Sequence, residues 1–137
     1  MKTFAAVAMV LTLTSCAAFQ TKETRATNIR TLCYAAASLG TSEALRQKPE
    51  WRGQFANAYS ELDSLVKAKT VTGTFLHDLV ASLPVKELKS DTARIAIESA
   101  TLLFDQVAGT KVNIEAEPYV YAAAIGIRDG MRIALGL

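Results

Sequence analysis

Apolar residues recur at intervals of three and four along almost the whole of this 137-residue chain. Such spacing places them on one face of an α-helix, whereas a half-buried strand requires strict alternation. Half of the residues are apolar, and the chain has only seven glycines and three prolines, so it has enough material for a core. The pattern and the length predict an all-α fold with one domain, a single small bundle of four to five helices.

The first predicted helix carries an apolar stripe over residues 29–36. Gly40 follows it and is typical of a C-terminal cap, so the helix is expected to end there. Thr41 or Ser42 then begins a short helical turn. Pro49 suits the first turn of the next helix, where its missing N–H costs little.

Four later apolar stripes predict the remaining helices, over residues 51–66, 75–83, 93–107 and 118–135. Ser90 or Asp91 is the expected cap of the third of these stripes. Ile95 and Leu102 give that stripe a second apolar edge, which predicts a helix at the centre of the bundle. The only candidate strand, residues 110–116, is short and isolated and is interpreted as a connection.

The beginning of the chain has the layout of a secretory leader. Lys2 supplies one positive charge, and residues 4–14 carry none. A helix over residues 4–14 covers about 16 Å, which is too short to span a hydrocarbon core of about 30 Å. A charged start, a short apolar stretch and a site of small residues are typical of a signal peptide.

The residues at the end of this leader, Leu13-Thr14-Ser15-Cys16, resemble the lipobox of bacterial lipoproteins. The resemblance implies cleavage before Cys16, a lipid on its sulfur and an acylated new amino terminus. The chain then divides into a signal peptide at 1–15, a lipidated Cys16 with a tether at 16–27, and a helical domain at 28–137. The alternatives are an ordinary signal with a coincidental cysteine and an uncleaved membrane helix.

The same resemblance implies a location and a mode of membrane binding. The protein is expected to be exported and held at a membrane by its lipid, since two or more acyl chains bind a bilayer stably. Ala17 after the cysteine points to the outer membrane, facing the periplasm. The covalent lipid on Cys16 is the only cofactor that this interpretation includes.

A second stretch, residues 37–62, is similar to a segment of small lipoproteins encoded by tailed phages and prophages. The residues that carry this likeness are Gly40-Thr41, Leu45-Arg46, Pro49-Glu50, and Arg52 followed by Phe55. The likeness brings no catalytic residue with it. It implies a phage-derived envelope protein that acts in superinfection exclusion or in lysis.

Small residues spaced by four form a ridge along the last predicted helix, at Ala122, Gly126, Gly130 and Ala134. Such a ridge lets another backbone approach closely. It is interpreted as a packing face inside the domain or as the face of a homodimer. A bilayer span is disfavoured because Arg128, Asp129 and Arg132 would lie in hydrocarbon.

The composition excludes several classes of function. A net charge of +2 gives no basic surplus for nucleic acid, and two cysteines with one histidine cannot form a metal cluster. His77 and Asp78 are adjacent, and neighbouring residues on a helix do not face each other. Glu98 and Asp105 share a helix face, the one arrangement here that a cell-wall glycosidase could use. We therefore predict no catalytic residues and no metal.

Two further features are assigned from their surroundings. Cys33 lies on the apolar stripe of the first helix and is expected to be a buried free thiol, the alternative being a reactive or disulfide-forming one. A basic and aromatic cluster is the candidate face for a partner or for lipid headgroups, at Arg46, Lys48, Trp51 and Arg52. The sequence as a whole predicts a lipid-anchored, non-catalytic module that binds or supports another envelope protein.

Overall fold

The part of the chain that the structure describes contains five α-helices. The structure, a computed structural model, describes residues 21–84, 87–108 and 117–137, with the backbone alone at 103–108 and 117. The helices are α1 (Lys22–Gln47), α2 (Arg52–Ala68), α3 (Gly73–Ser82), α4 (Asp91–Ala108) and α5 (Glu117–Leu135), and a 3-10 turn at Pro49–Trp51 precedes α2. These ranges contain no strand, and the predicted all-α bundle is confirmed. The expected connection at 110–116 lies outside them.

Helix α1 begins earlier than the sequence suggested. Its first residue is Lys22, and the Thr21 hydroxyl caps it by accepting the N–H of Thr24 at 3.3 Å. This start lies six residues before the predicted domain boundary at 28, so residues 22–27 of the expected tether are helical. Ala26 in this segment packs against the core, which extends the folded domain toward the leader.

Helix α1 also continues through the residues expected to end it. Gly40 and Thr41 are both buried within one unbroken helix. The prediction that Gly40 is a C-terminal cap is therefore wrong. A Cβ at this position would come within 2.7 Å of the Cδ1 of Ile97 in α4, so the glycine allows close packing between helices. That packing offsets the cost of about 1 kcal/mol that glycine brings to a helix interior.

Other helix boundaries agree with the predictions made from the sequence. Helix α1 ends at Gln47 because Lys48 precedes Pro49, and the ring of a proline disfavours the helical backbone at the residue before it. Pro49 opens the 3-10 turn that leads into α2. Ser90 caps α4, since its hydroxyl accepts the N–H of Ala93 at 3.3 Å. These boundaries confirm the predicted start signals.

Helices α1 and α5 form the most extensive interface and lie at the centre of the bundle. The prediction that α4 is central is wrong, because Ile95 and Leu102 are 39% and 63% exposed. Over residues 91–102, where the side chains are described, α4 buries its alanines instead, at Ala93, Ala96 and Ala100. This part of α4 packs on the side of the central pair.

The buried side chains form two clusters. The larger one includes Ile29 and Leu62 and lies around the first half of α1. The smaller one lies around the second half of α1 and consists of Ala44, Phe55, Leu88, Ala93, Met131 and Leu135. The core is therefore divided along the length of α1.

A row of five charged side chains crosses α2, α5 and α1. Lys67 lies 2.6 Å from Asp63, which is four residues before it on α2, and Asp63 lies 3.8 Å from Arg128. Arg128 contacts Asp129 at 2.8 Å, and Asp129 lies 3.4 Å from Arg30. Single surface pairs contribute little, but a row that links three helices favours one arrangement of them.

Candidate functional site

An apolar cavity of about 90 Å³ lies where the two clusters of buried side chains meet. All five described helices contribute to its wall. Helix α1 faces it with small residues only, Cys33, Ala36, Ala37, Gly40, Thr41 and Ala44. Because these side chains are short, the described side chains of the surrounding helices leave a space between them, and this space is partly open to solvent.

This cavity was not predicted from the sequence. The signal was present as small residues at helical spacing between Cys33 and Ala44. The rest of the described wall comes from the other four helices and from the connection between α3 and α4, and it is largely apolar: Phe55, Leu76, His77, Val80, Leu83, Pro84, Leu88, Ile97, Ala100, Thr101, Ala123, Ile127 and Met131.

Among the described residues of the cavity wall, none is aspartate, glutamate, lysine or arginine. The polar side chains among them are Thr41, His77 and Thr101, together with the Cys33 thiol. The Thr101 hydroxyl donates to the carbonyl oxygen of Ile97 at 2.9 Å, and the Nε2 atom of His77 is buried. A charged group placed in this wall would lose its hydration without gaining an ionic partner, so the cavity favours uncharged apolar matter.

Cys33 is a free, buried thiol, as the sequence predicts. Burial raises the pKa of this thiol from its ordinary value of 9.0 to about 12. Only the thiolate is a strong nucleophile, so the thiol is inert at neutral pH and acts as a small apolar group. This environment opposes the alternative of a reactive or disulfide-forming cysteine.

We expect Cys33 to make the free energy of unfolding fall as the pH rises from 9 toward 12. The unfolded thiol loses its proton above pH 9.0 while the folded one keeps it to about pH 12. The unfolded state is therefore stabilised in this window, by on the order of 1 kcal/mol per pH unit. Below pH 9 both states hold the proton, and the thiol contributes no slope.

Urea unfolding at about pH 8 and at about pH 10 measures this effect when the wild-type chain is compared with Cys33→Ala. Lysines and tyrosines titrate in both proteins, so the difference between the two isolates the thiol. We expect that difference to change with pH. A constant difference would show that Cys33 is not buried as described.

The residues considered for acid–base chemistry do not converge. His77 lines the cavity, whereas Asp78 beside it is exposed to solvent. Glu98 is exposed on α4, and the side chain of Asp105 lies outside the described residues. Within the described ranges, no group of three or more histidine, cysteine, aspartate or glutamate residues is placed to hold a metal ion.

The predicted partner or headgroup face lies around the end of α1 and the start of α2. Its four residues are Arg46, Lys48, Trp51 and Arg52. Arg46 donates to the two carboxylate oxygens of Glu43 at 2.6 and 3.1 Å. This hydrogen bond lowers the pKa of Glu43. The pair keeps both charges at neutral pH and reduces the positive field of the face.

The other two cations of this face also have partners in the chain. The Nζ atom of Lys48 lies 4.8 Å from the centre of the Trp51 ring and 3.8 Å from the Glu87 carboxylate. Arg52 donates to the carbonyl oxygen of Leu135 and so caps the end of α5. These contacts all join residues of this chain to one another. The binding of a partner by this face stays a prediction.

The ridge of small residues on α5 packs inside the domain at its two glycines. A Cβ on Gly126 would overlap the carbonyl oxygen of Arg30, and one on Gly130 would overlap that of Tyr34. The backbones of α1 and α5 therefore meet directly, and the two helices run in the same direction. The alanines of the ridge, Ala122 and Ala134, are half-buried.

None of the helices in the described ranges combines the length and the apolar character that crossing a membrane requires. The predicted lipidation and cleavage residues, Leu13, Thr14, Ser15 and Cys16, lie outside those ranges.

Comparison of this chain with protein-family models, with curated proteins and with solved structures found no match.

Proposed function

We propose that this chain is a lipid-anchored protein of the bacterial envelope that acts by binding another envelope protein. The observation that carries the proposal is Leu13-Thr14-Ser15-Cys16 at the end of a short apolar leader. In this proposal Cys16 carries the lipid, and the helical domain supplies the binding surface. No catalytic group or metal is part of the mechanism.

The start of α1 supports a position close to the membrane surface. Helix α1 begins at Lys22, so only residues 17–21 separate it from Cys16. Five extended residues span at most about 18 Å. A domain on so short a tether meets partners that are themselves at the membrane.

Exposed apolar side chains supply contact area for such a partner. They lie on α1, on α4, and on or just after α5, at Tyr34, Leu39, Ile95, Leu102, Ile133 and Leu137. Tyrosine is enriched among the residues that dominate the energetics of protein interfaces, and the aliphatic side chains add apolar area that a partner can bury.

We expect Cys16→Ser to abolish lipid attachment completely, because the sulfur is the acceptor. Growth of expressing bacteria with an alkyne-tagged palmitate, followed by mass spectrometry of the purified product, measures it. Cys33→Ala is the matched control and should label like the wild-type chain, since its thiol is buried. Unmodified wild-type Cys16 on an intact initiator methionine would overturn the proposal.

The binding half of the proposal has its own test. Crosslinking in living cells should capture one dominant envelope protein with the wild-type chain and lose it with Cys16→Ser. An equal adduct in the two strains would show that lipid anchoring is not needed for the interaction. No dominant adduct in either strain would contradict the binding role.

A second candidate function is superinfection exclusion or lysis by a phage-encoded lipoprotein. The resemblance of residues 37–62 to small phage lipoproteins favours it. This segment covers the second half of α1, the 3-10 turn and the first half of α2. Expression in a sensitive host should then reduce plaque counts or disturb the envelope, and unchanged plaques with an intact envelope would contradict it.

A further inference from the structure

We propose that the cavity between the two core clusters binds one aliphatic chain of a free single-chain amphiphile, of the fatty acid or lysolipid class. This inference goes beyond the proposed function and does not rest on lipid attachment at Cys16. It follows from the shape, the size and the chemistry of the cavity.

The cavity is elongated along α1. Its wall on this helix extends from Cys33 to Ala44, which is about 16 Å at the rise of an α-helix. On α5 the wall extends from Ala123 to Met131, about 12 Å. Because α1 and α5 run in the same direction, these two edges lie side by side. A slot of this form matches a linear chain better than a compact ring system.

The volume of the cavity limits how much of a chain it holds. A single water occupies about 10–15 Å³, and about 90 Å³ of this cavity is open to the centres of water-sized groups. Because each group extends beyond its centre, the cavity accommodates at least about six to nine groups of the size of a water or a methylene. We infer that a segment of at least about six carbons enters and that the headgroup stays outside.

The chemistry of the wall selects for an alkyl chain. Because none of the described wall residues is charged, a carboxylate or phosphate headgroup stays in water. Each buried methylene gains about 0.8 kcal/mol, so affinity should rise about four-fold with every carbon that enters.

The lipid proposed for Cys16 is an alternative source of the same chain. Residues 17–21 and the first turns of α1 separate Cys16 from the near end of the cavity at Cys33. The resemblance implies several acyl chains on that residue, whereas the cavity has room for part of one. We therefore assign the cavity to a free amphiphile, and the experiment below distinguishes the two sources.

The test uses the full chain in phosphatidylcholine vesicles that contain a palmitic acid analogue with a diazirine in its chain. After irradiation, mass spectrometry of peptides locates the crosslinks. We expect adducts on cavity residues such as Leu76, Ile97 and Ile127. Adducts confined to residues outside the wall would overturn the proposal. If the acyl group on Cys16 occupies the cavity of its own protein and the analogue forms no adduct there, the assignment to a free amphiphile is wrong.

Filling the cavity should abolish the crosslink. Ala36→Leu and Ala100→Leu each add three carbons to the wall, which should weaken binding by about sixty-fold. Ala81→Leu on α3 is the matched control, because Ala81 is exposed and lies outside the wall, and it should crosslink like the wild-type chain. Circular dichroism identifies any variant that does not fold. Unchanged crosslinking in a folded cavity variant would contradict the proposal.

A competition experiment on the wild-type chain needs no variant. Straight-chain alcohols from butanol to dodecanol are added before irradiation. We expect competition to strengthen about four-fold per carbon from butanol to about hexanol and to level off once the cavity is full. Competition that does not depend on chain length would overturn the proposal.

Discussion

Replacing Gly130 with alanine should lower the free energy of unfolding by about 3 kcal/mol, at the upper end of the usual cost of overpacking. The new Cβ would overlap the carbonyl oxygen of Tyr34 and come within 2.9 Å of the Cβ of Ala37 and the N of Ser38. Two of these three atoms belong to the backbone of α1, which cannot turn aside as the end of a flexible side chain can. The central helix pair must therefore separate.

Gly53→Ala is the matched control for this prediction. No atom lies within 4 Å of a Cβ built on Gly53, which is exposed in the first turn of α2. Alanine is the better helix former, so this variant should gain up to about 1 kcal/mol. The same chemical change is thus expected to have opposite signs at two positions. Urea unfolding measures both, and stabilisation by Gly130→Ala would show that α1 and α5 do not touch as described.

Leu62→Ala should lower the free energy of unfolding by about 2–5 kcal/mol. The Leu62 side chain is 0% exposed and lies in the larger core cluster. Its truncation loses the transfer free energy of the removed carbons and leaves a cavity that the neighbouring helices fill only in part.

Leu102→Ala gives the comparison at a position where α4 faces solvent. The Leu102 side chain is 63% exposed, so the same truncation should change stability by no more than about 0.5 kcal/mol. Urea unfolding curves of equal slope would show that both variants unfold from the same compact state. Equal losses of stability in the two variants would contradict the burial of Leu62 on α2 and the exposure of Leu102 on α4.

The starts of α2 to α5 could be read from local signals, whereas the start and the end predicted for α1 were both wrong. Pro49 at the start of the turn before α2 and Ser90 at the cap of α4 act within one helical turn, so tertiary contacts are not needed to recognise them. The Asp63–Lys67 pair is equally local. Each of these features depends only on residues three or four positions apart.

The signals that failed depend on residues distant in the sequence. Gly40 is a residue typical of a helix end, yet it stays helical. Ile97 packs where a larger residue at position 40 would place its Cβ. Ile95 and Leu102 have the spacing of a core edge, yet none of the described helices covers them. A glycine is required both where a helix ends and where two helices touch, and its neighbours in the sequence do not distinguish the two.

The candidate site likewise has features that local signals predict and one feature that depends on residues distant in the sequence. The burial of Cys33 follows from the apolar stripe on which it lies, and the ridge at Gly126 and Gly130 follows from spacing along one helix. The cavity does not follow from either, because an unfilled space exists only between helices whose separation is already known. Small residues on α1 permit such a space, but they would equally suit a tighter bundle.

By itself, the amino-acid sequence determined that this chain forms amphipathic helices and where most of them begin, because caps, prolines and apolar spacing act over one turn. It also supplied Leu13-Thr14-Ser15-Cys16, on which the proposed membrane anchor depends. Only the tertiary structure decided that α1 and α5 are the central pair and that a cavity divides the core. Both depend on which helix faces meet across the bundle, and that choice is made by the packing of all the helices together.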